Sequence, residues 1–492
     1  MSWPQRFRAR HGRPPRVLHV GNVANYAFVN ASLMRRHGVE ADVIDPDSYH
    51  IMAHPAWSEA LISGDWGDDF NPSWARVDLG GYRAPDWFAQ GPRDLVLGFA
   101  AARAAGDAAG AAQARIQIDT AVRRRARLLA LTRRLRPALA AAPALTRIAR
   151  GLGRGLVYGR KAPAASTPVS TQVPADPGLP PEITALRALG PALERALAGY
   201  DVVVGYALGA IYGLAARHPA VVACELGTLR GLPFEDTPAG RLCAWTYRNA
   251  AMVMITNADC VASAERLGIA DADRLPILHP FDLDTADAPA ALPNGIADGA
   301  PYFLAPARQH WTGGSASFLK GNDVIIEAAA RLAAQGRAFR LVFIEWGEDV
   351  AATRALIERH RLADRTIWLR PVCRRRLWPL YDGAVAVLDQ FRAQALGGIG
   401  LESLARGRRL VSRYDEAAGE LYFAEPPPLL AASDVASLAT AMAACLDDPD
   451  DRAGRGAAGR GWMAQQHGIE RQLAGQFAAF ERLTERTDRR CA

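Results

Sequence analysis

Lysine is almost absent from this chain of 492 residues. Of its 58 Lys and Arg residues, Lys161 and Lys320 are the only lysines. A lysine kept in so arginine-rich a chain indicates a position that needs a compact ammonium, a common partner for phosphate. Lys320 stands twelve residues after Arg308 and directly before an apolar helical pattern. The pair is therefore a candidate anion-binding site, and the alternative is an ordinary surface lysine.

Three further absences exclude classes of protein. No run of about eighteen or more apolar residues occurs, so we expect no membrane-spanning helix. The basic N-terminus has no apolar segment behind it, so we expect no signal peptide. The six cysteines form no C-x-x-C pair and no metal-ligand spacing, so we expect reduced thiols in a cytoplasmic protein. Neither a metal nor a bound cofactor is predicted.

The excess of positive charge lies in one segment. The chain has a formal net charge of +7, whereas residues 115–161 hold thirteen basic residues and one acid, Asp119. Arginines are interleaved there with Leu, Ile, Val and Ala, a pattern typical of a basic amphipathic helix on an anionic membrane surface. The alternatives are a contact with a partner protein, a solvated helix without function and, least favoured, binding of nucleic acid.

The pattern of apolar runs predicts two α/β units. The first begins with an apolar run at 16–20, a helical pattern at 27–36 and a second run at 39–45, which is the start of a doubly wound parallel sheet. Its further strands are predicted at 201–205, 221–224, 251–256 and 275–278. The second unit has predicted strands at 302–305, 340–344, 366–369, 384–388 and 409–412, with helices between them.

These units define the predicted domains. We predict an N-terminal domain at 1–285, a linker at 286–300, a C-terminal domain at 301–460, and a terminal helix at 461–492 that packs back on the first domain. Residues 92–182 are predicted as an insertion, helical at first and then a linker rich in Pro, Ser and Thr. Because ligands bind at the carboxyl ends of parallel strands, we expect the site in a cleft between the domains.

Several motifs follow one another in a specific order. They are Arg308, Lys320-Gly321-Asn322-Asp323, Ile344-Glu345-Trp346-Gly347, Val387-Leu388-Asp389-Gln390-Phe391, and Gln394 to Gly407, together with Glu225-Leu-Gly227-Thr228-Leu-Arg230 and Thr256-Asn257-Ala258-Asp259 in the first half. In this order they resemble the retaining glycosyltransferases of family 4, which have the GT-B fold of two Rossmann-like domains. The resemblance covers about 16–45 and 200–485 and leaves out the basic segment.

The resemblance implies a role for each motif. Arg308 and Lys320 would stabilise a nucleoside diphosphate leaving group, on which negative charge develops. Glu402 would bind the donor ribose, and Gln394 would contact the donor sugar. The other donor-binding positions are Gly347, Val372, Gly397 and Gly398. The acceptor side of the cleft is predicted to include Gly21, Asn22, Thr228 and Arg230. From the residues alone, the alternatives are a strand-end salt bridge for Arg308 and a helix N-terminal carboxylate for Glu402.

Two positions depart from the family pattern. Gln394 stands where an acidic residue is usual, and Leu226 stands where relatives often carry His. We therefore keep two hypotheses. The first is a retaining glycosyltransferase that uses a nucleotide sugar and a glycan acceptor, such as a lipid-linked or polysaccharide precursor, at the inner face of a membrane. The second is a non-catalytic GT-B relative that binds sugar nucleotides or a partner.

Other residues that could take part in binding or catalysis are predicted to have structural roles. Gly21-Asn22-Val23-Ala24 lacks the G-x-G-x-x-G of a dinucleotide site, which argues against an NAD-linked oxidoreductase. His19 lies within a predicted strand, and His279 precedes a proline at the domain junction, so both are predicted to be structural.

Overall fold

The computed structural model describes residues 1–64, 72–140, 178–286, 296, 300–313, 319–448 and 451–491. The predicted linker at 286–300 and the Pro-rich part of the insertion lie largely outside these ranges. The strands are β1 (Arg16–Val20), β2 (Glu40–Pro46), β3 (Ser63–Gly64), β4 (Val77–Asp78), β5 (Phe88–Gly91), β6 (Val202–Tyr206), β7 (Val221–Glu225), β8 (Met252–Ile255), β9 (Arg274–Pro276), β10 (Tyr302–Ala305), β11 (Arg340–Ile344), β12 (Thr366–Leu369), β13 (Ala386–Leu388), β14 (Leu410–Ser412) and β15 (Leu430–Ala431).

Helices alternate with these strands. In the first half they are α1 (Trp3–His11), α2 (Tyr26–Arg36), α3 (Ala56–Glu59), α4 (Arg93–Ala104), α5 (Ala108–Ala140), α6 (Pro181–Arg187), α7 (Pro191–Leu197), α8 (Ile211–Ala215), α9 (Pro238–Asn249), α10 (Val261–Arg266) and α11 (Leu283–Ala286). In the second half they are α12 (Asn322–Ala334), α13 (Val350–Arg359), α14 (Arg374–Gly383), α15 (Gly398–Ala405), α16 (Glu416–Gly419), α17 (Val435–Asp447), α18 (Asp451–Gln466) and α19 (Ile469–Cys491).

The first sheet has seven parallel strands in the order β5-β2-β1-β6-β7-β8-β9. Its central strands are continuous apolar runs such as Val-Val-Val-Gly-Tyr in β6, every residue of which is buried. Runs of this kind form strands that are covered by helices on both faces. The predicted doubly wound parallel sheet is confirmed, with β5 as a strand that the sequence pattern missed.

The second sheet has six parallel strands in the order β12-β11-β10-β13-β14-β15. All five predicted strands are present, and β15 adds a sixth. In both sheets the chain order changes direction beside the first strand, which places β1 and β10 next to the topological switch points. Ligands bind at such points in open α/β sheets.

The last helix returns to the first unit. In α19, Phe477 and Phe480 pack into one buried cluster with Trp3 and Phe7 of α1. The rings of Trp3 and Phe480 lie 5.4 Å apart in an edge-to-face arrangement, which is a favoured geometry for aromatic pairs.

The two units touch across their facing strand ends. Tyr422 Oη of the second unit donates to the carbonyl of Ile255 at 3.1 Å. His467 Nε2 lies 2.7 Å from the carbonyl oxygen of His279. These contacts bring the ends of β8 and β9 against the loop after α16 and the connection between α18 and α19, so the carboxyl ends of the two sheets face one cleft.

Among the described helices, none is long and apolar enough to cross a bilayer.

Candidate active site in the cleft

Arg308 and Lys320 lie at the switch point of the second sheet. Arg308 follows β10, and Lys320 stands two residues before α12. The Lys320 Nζ donates to Gln390 Oε1 at 2.8 Å, and its backbone amide donates to the His310 carbonyl at 2.7 Å. The ammonium is thus held between two loops and is half-buried.

A third cation joins them from the first sheet. Burial lowers the pKa of Lys320, and the positive charges of Arg308 and Arg230 lower it further, while Asp389 acts in the opposite direction. Burial also lowers the pKa of Arg308, and Arg230 adds to that shift. Because their charges act on one another, the three cationic side chains form one cluster across the cleft, in which Asp259, Asp389 and Glu348 balance part of the charge. Such a cluster is stabilised when an anion binds.

Arg230 is held by its own unit. Its guanidinium makes a bidentate ion pair with Asp259, the shorter contact being 2.6 Å, and donates to Asn257 Oδ1 at 3.0 Å. Asn257 in turn donates to the fully buried carboxylate of Glu225 at 3.1 Å. The two first-half motifs singled out in the sequence therefore form one hydrogen-bonded support for Arg230.

Thr228 and Leu226 of the same loop are differently placed. Thr228 is half-buried, and its hydroxyl bonds to the buried Tyr247. Leu226 packs against the apolar core of the first unit. The structure thus places Arg230 in the cation cluster and gives Thr228 a partner inside its own unit.

Glu402 lies on α15, whose N-terminus faces the cleft. The helix begins at Gly398, directly after Gly397. Glu402 is 6% exposed. A Cβ on Gly398 would lie 3.2 Å from the hydroxyl of Tyr26 on α2, so the glycine lets the first unit approach this helix start. The Gly400 amide in its first turn bonds to the Asp389 carboxylate, and the N-terminus of a helix favours a bound anion.

Arg374, which the sequence analysis missed, holds Glu402. Its Nε lies 2.6 Å from Glu402 Oε1, and its Nη1 donates to Ser58 Oγ of the first unit at 3.3 Å. Arg374 belongs to a run of three arginines at the start of α14, two residues after Val372. Nothing in that run marks one arginine as different, because its partner lies on another helix.

Asp389 is a second residue whose role was missed. It follows β13 and is 3% exposed. Burial raises the pKa of Asp389 to about 6, with Lys320 lowering it and Glu402 raising it. Its Oδ2 has no hydrogen-bond partner among the described residues, and it lies 3.8 Å from the position of a Cβ on Gly397. In the sequence, Asp389 stands directly after a predicted strand, within the motif Val387-Leu388-Asp389-Gln390-Phe391.

Gln394 bonds to neighbours on the loop after β14. With its amide oriented to match its neighbours, it accepts from Arg413 Nη2 at 2.7 Å and donates to Asp415 Oδ2 at 3.3 Å. The position that departs from the family pattern therefore stands beside a carboxylate and a guanidinium.

Gly347 supports the loop that carries Arg308. It has φ +116°, and a Cβ there would collide with the backbone of Gln309. The Gln309 amide donates to the Trp346 carbonyl at 2.8 Å. Only a residue without Cβ allows the loops after β10 and β11 to meet in this way.

On the first sheet, Gly21 and Asn22 line a cavity of about 370 Å³. Gly21 has φ +86°, and a Cβ there would lie 3.2 Å from the Tyr206 carbonyl. The Asn22 side chain donates to Asn25 Oδ1 at 2.9 Å and to Ala53 O at 2.8 Å. Asn22 thus forms part of the cavity wall, while its side-chain amide is hydrogen-bonded to other residues of the first unit.

The two histidines are buried, as their predicted structural roles require. His19 bonds to the Tyr206 hydroxyl at 3.0 Å, and burial lowers its pKa to about 3. Burial, His467 and Arg230 lower the pKa of His279 to about 3. In the part of the chain that the structure describes, no group of three or more His, Cys, Asp or Glu residues could hold a metal ion.

Comparison with known proteins supports the same architecture. No family model matches the chain. It is 25% identical over 270 residues to the 2-deoxystreptamine glucosyltransferase of Streptomyces kanamyceticus, a match that spans 54% of this chain and 65% of that protein. The match thus covers just under two thirds of the relative's length.

Two solved structures align along nearly the whole chain. HepE of Anabaena, solved with UDP and glucose, has a TM-score of 0.54 at 12% identity and covers 94% of this chain and 100% of its own. A glycosyltransferase from Rickettsia africae has a TM-score of 0.52 at 11% identity, with coverage of 95% and 98%. The chain therefore has the GT-B fold, with two parallel-sheet units facing a cleft.

Proposed function

We propose that this protein is a retaining glycosyltransferase of family 4 type that transfers a sugar from a nucleotide donor. The observation that carries the proposal is the cluster of Arg230, Arg308 and Lys320, whose cationic side chains come from both units and act on one another's charge. HepE, which shares the fold, was solved with UDP and glucose. In this proposal the cations of the cluster neutralise the leaving diphosphate.

The mechanism follows from where charge develops. As the bond between the anomeric carbon and the diphosphate oxygen lengthens, Lys320 and Arg308 stabilise the oxygen that takes the electron pair. The amides at the start of α15 that precede Gly400 bind a second phosphate oxygen. Glu402, held by Arg374, accepts hydrogen bonds from the ribose hydroxyls. The acceptor hydroxyl attacks from the face of the leaving group, and the departing phosphate takes its proton.

Gln394 is the proposed contact to the donor sugar. Its amide can both donate and accept, so it suits a hydroxyl that is shared with Asp415 or Arg413. The neighbouring carboxylate and guanidinium keep charge beside this position although Gln394 itself is neutral. This favours an active enzyme over the non-catalytic relative.

The test has two stages. A thermal-shift screen against nucleoside diphosphates is expected to give one clear stabilising base, because ligand binding to the folded state raises the melting temperature. Turnover is then followed with the matching sugar nucleotides, by release of the diphosphate and by the anomeric configuration of the product. Stabilisation without turnover over the whole panel would instead establish the binding subunit, and an inverted product would exclude retention.

We propose further that α5 places the enzyme on an anionic membrane surface at the cytoplasmic side. Ile116, Leu128 and Leu131 are 60%, 41% and 53% exposed on this helix, and Arg123 and Arg127 are exposed among them. Apolar side chains between arginines are the pattern that binds anionic lipid.

This helix also lies beside the acceptor cavity. The Arg125 guanidinium stacks 4.3 Å above the ring of Tyr49, the neighbour of Ser48, which lines the cavity. A lipid-linked acceptor could therefore reach the cavity from the surface on which α5 rests.

Flotation with vesicles that contain anionic lipid tests the membrane proposal. We expect Leu128→Glu with Leu131→Glu to leave the floated fraction. Leu421→Glu changes a leucine that is equally exposed, at 55%, outside α5, and should still float. Equal flotation of both variants would contradict the proposal.

A further inference from the structure

The cavity at the switch point of the first sheet contains an uncompensated buried carboxylate. Asp45 is the last residue but one of β2. It lines the cavity and is 6% exposed. Buried charges in proteins are normally paired, because an isolated ionised carboxylate is costly to remove from water. The surroundings of Asp45 therefore bear on what the cavity binds.

Neutral groups alone bond to this carboxylate. Asp45 Oδ1 accepts from the backbone amide of Asn22 at 3.2 Å, and Oδ2 accepts from Gln90 Nε2 at 3.1 Å. The Ser48 side chain supplies a third hydrogen bond. Burial raises the pKa of Asp45 to about 6, these three bonds lower it, and no positive side chain is among the described groups that shift it. An ionised carboxylate can accept about four hydrogen bonds, so one site remains.

Among the described residues that line the rest of the cavity, no side chain carries a positive charge. None of its lining residues is Lys, Arg or His. Arg93 is not a lining residue, and its side chain bonds to the hydroxyl of Tyr212. Val20, Ile211 and the ring of Tyr212 provide an apolar side. A volume of about 370 Å³ lies within the range of small-molecule sites, about 300–1,000 Å³.

We propose that this cavity binds an acceptor ring that bears a protonated amine, such as an amino sugar or an aminocyclitol, with the ammonium paired to Asp45. The ammonium supplies the missing opposite charge and the fourth hydrogen bond. The apolar wall packs against the C–H face of the ring. A phosphorylated ring would place an anion next to Asp45, and no described lining residue is a cation that could neutralise it. This inference rests on the proposed function, because it names the acceptor of the same reaction.

Binding of free acceptors without any donor tests the proposal. Glucosamine, galactosamine and streptamine are titrated by calorimetry, beside N-acetylglucosamine, glucose and glucose 6-phosphate. We expect at least one amine to bind about tenfold or more tightly than the neutral and phosphorylated rings, which corresponds to about 1.4 kcal/mol. No binding by any amine, equal binding of N-acetylglucosamine, or preference for the phosphorylated sugar would overturn the inference.

Two variants distinguish the loss of the Asp45 charge from a loss of folded structure. Asp45→Asn is expected to reduce amine binding to the level of the neutral sugars, whereas Asp47→Asn, an exposed acid on the same loop, should leave it unchanged. Circular dichroism checks that Asp45→Asn is folded, and the wild-type comparison of amine with N-acetyl amine stands without any variant. Nucleoside diphosphate stabilisation is measured in parallel. If it persists while amine binding fails, the acceptor class is wrong and the transferase proposal remains.

Discussion

Replacing Lys320 by methionine removes a charge and keeps most of the side-chain volume. The ammonium bonds to Gln390 Oε1 at 2.8 Å and is repelled by Arg308 and Arg230. The substitution therefore has two opposite effects on the free protein. Gln390, which is 4% exposed, loses a donor at a cost of about 1–3 kcal/mol, and the buried Asp389 loses the attraction of the ammonium, while the repulsion by the two arginines is relieved. We expect only a small change in the melting temperature.

The effect on catalysis is larger because the two arginines cannot take the place of Lys320 at the leaving oxygen. Removing one preorganised donor to a developing oxyanion costs about 2.7–4 kcal/mol. Arg308 and Arg230 still neutralise part of the diphosphate charge, so the lower end applies. We expect kcat to fall roughly 100-fold, which corresponds to about 2.7 kcal/mol.

A pH profile gives an independent test of the same prediction. The pKa of Lys320 in the free protein is lowered from its ordinary value, 10.5. Because the protonated form is needed, kcat/KM should fall as the pH rises through that lowered pKa. Bound diphosphate favours the ammonium, so the fall in kcat should occur at higher pH. Lys320→Met should lose this alkaline limb, and Lys320→Arg should keep part of the activity. Turnover of Lys320→Met within about twofold of wild type would refute the reasoning.

Three further substitutions follow from the contacts in the cleft. Arg374→Gln removes the 2.6 Å ion pair to Glu402, so donor KM should rise more than kcat falls, since lost ground-state binding acts on KM. Gly347→Ala forces a Cβ into the backbone of Gln309 at φ +116°, and we expect lower kcat and a loss of about 1–3 kcal/mol of stability in denaturant titrations. Gln394→Ala should lower turnover about tenfold while nucleoside diphosphate affinity, measured by calorimetry, stays within about twofold.

The Arg374 and Gly347 substitutions each have a control on the same chain. Arg375→Gln removes a neighbouring guanidinium that bonds to the Glu59 carbonyl at 3.2 Å and should leave donor KM unchanged. Gly336 also has a positive φ, but a Cβ there would meet no atom within 4 Å. Gly336→Ala should therefore leave kcat unchanged. If Arg375→Gln raises donor KM as much as Arg374→Gln, the contact to Glu402 is not the cause. Loss of diphosphate binding in the Gln394 variant would place that residue at the nucleotide.

Most of the fold could be predicted because both sheets are built from buried parallel strands. Continuous apolar runs such as the one in β6 carry a strong local signal. The two missed strands are short or atypical. β5 is Phe-Ala-Gln-Gly, and β15 is the pair Leu430–Ala431. Such segments become strands because a neighbouring strand offers hydrogen bonds, which a local pattern does not report.

Part of the candidate site could be predicted from the sequence, and part could not. Arg308, Lys320, Glu402 and Arg230 could be selected because each follows or precedes a recognisable element in a family-like order. Arg374 and Asp389 could not be assigned roles in advance. An arginine in an arginine-rich chain carries no signal until its partner is known, and Glu402 lies 28 residues further along the chain.

The sequence by itself determined the two doubly wound units, the scarcity of lysine that singles out Lys320, and the order of motifs around it. These are local properties of periodicity and residue type. Only the tertiary structure decided that Arg230 joins Arg308 and Lys320 from the other unit, that Arg374 holds Glu402, and that Asp45 lines a cavity without a cation. Charge interactions depend on distance and burial, and both are set when segments far apart in the chain pack together.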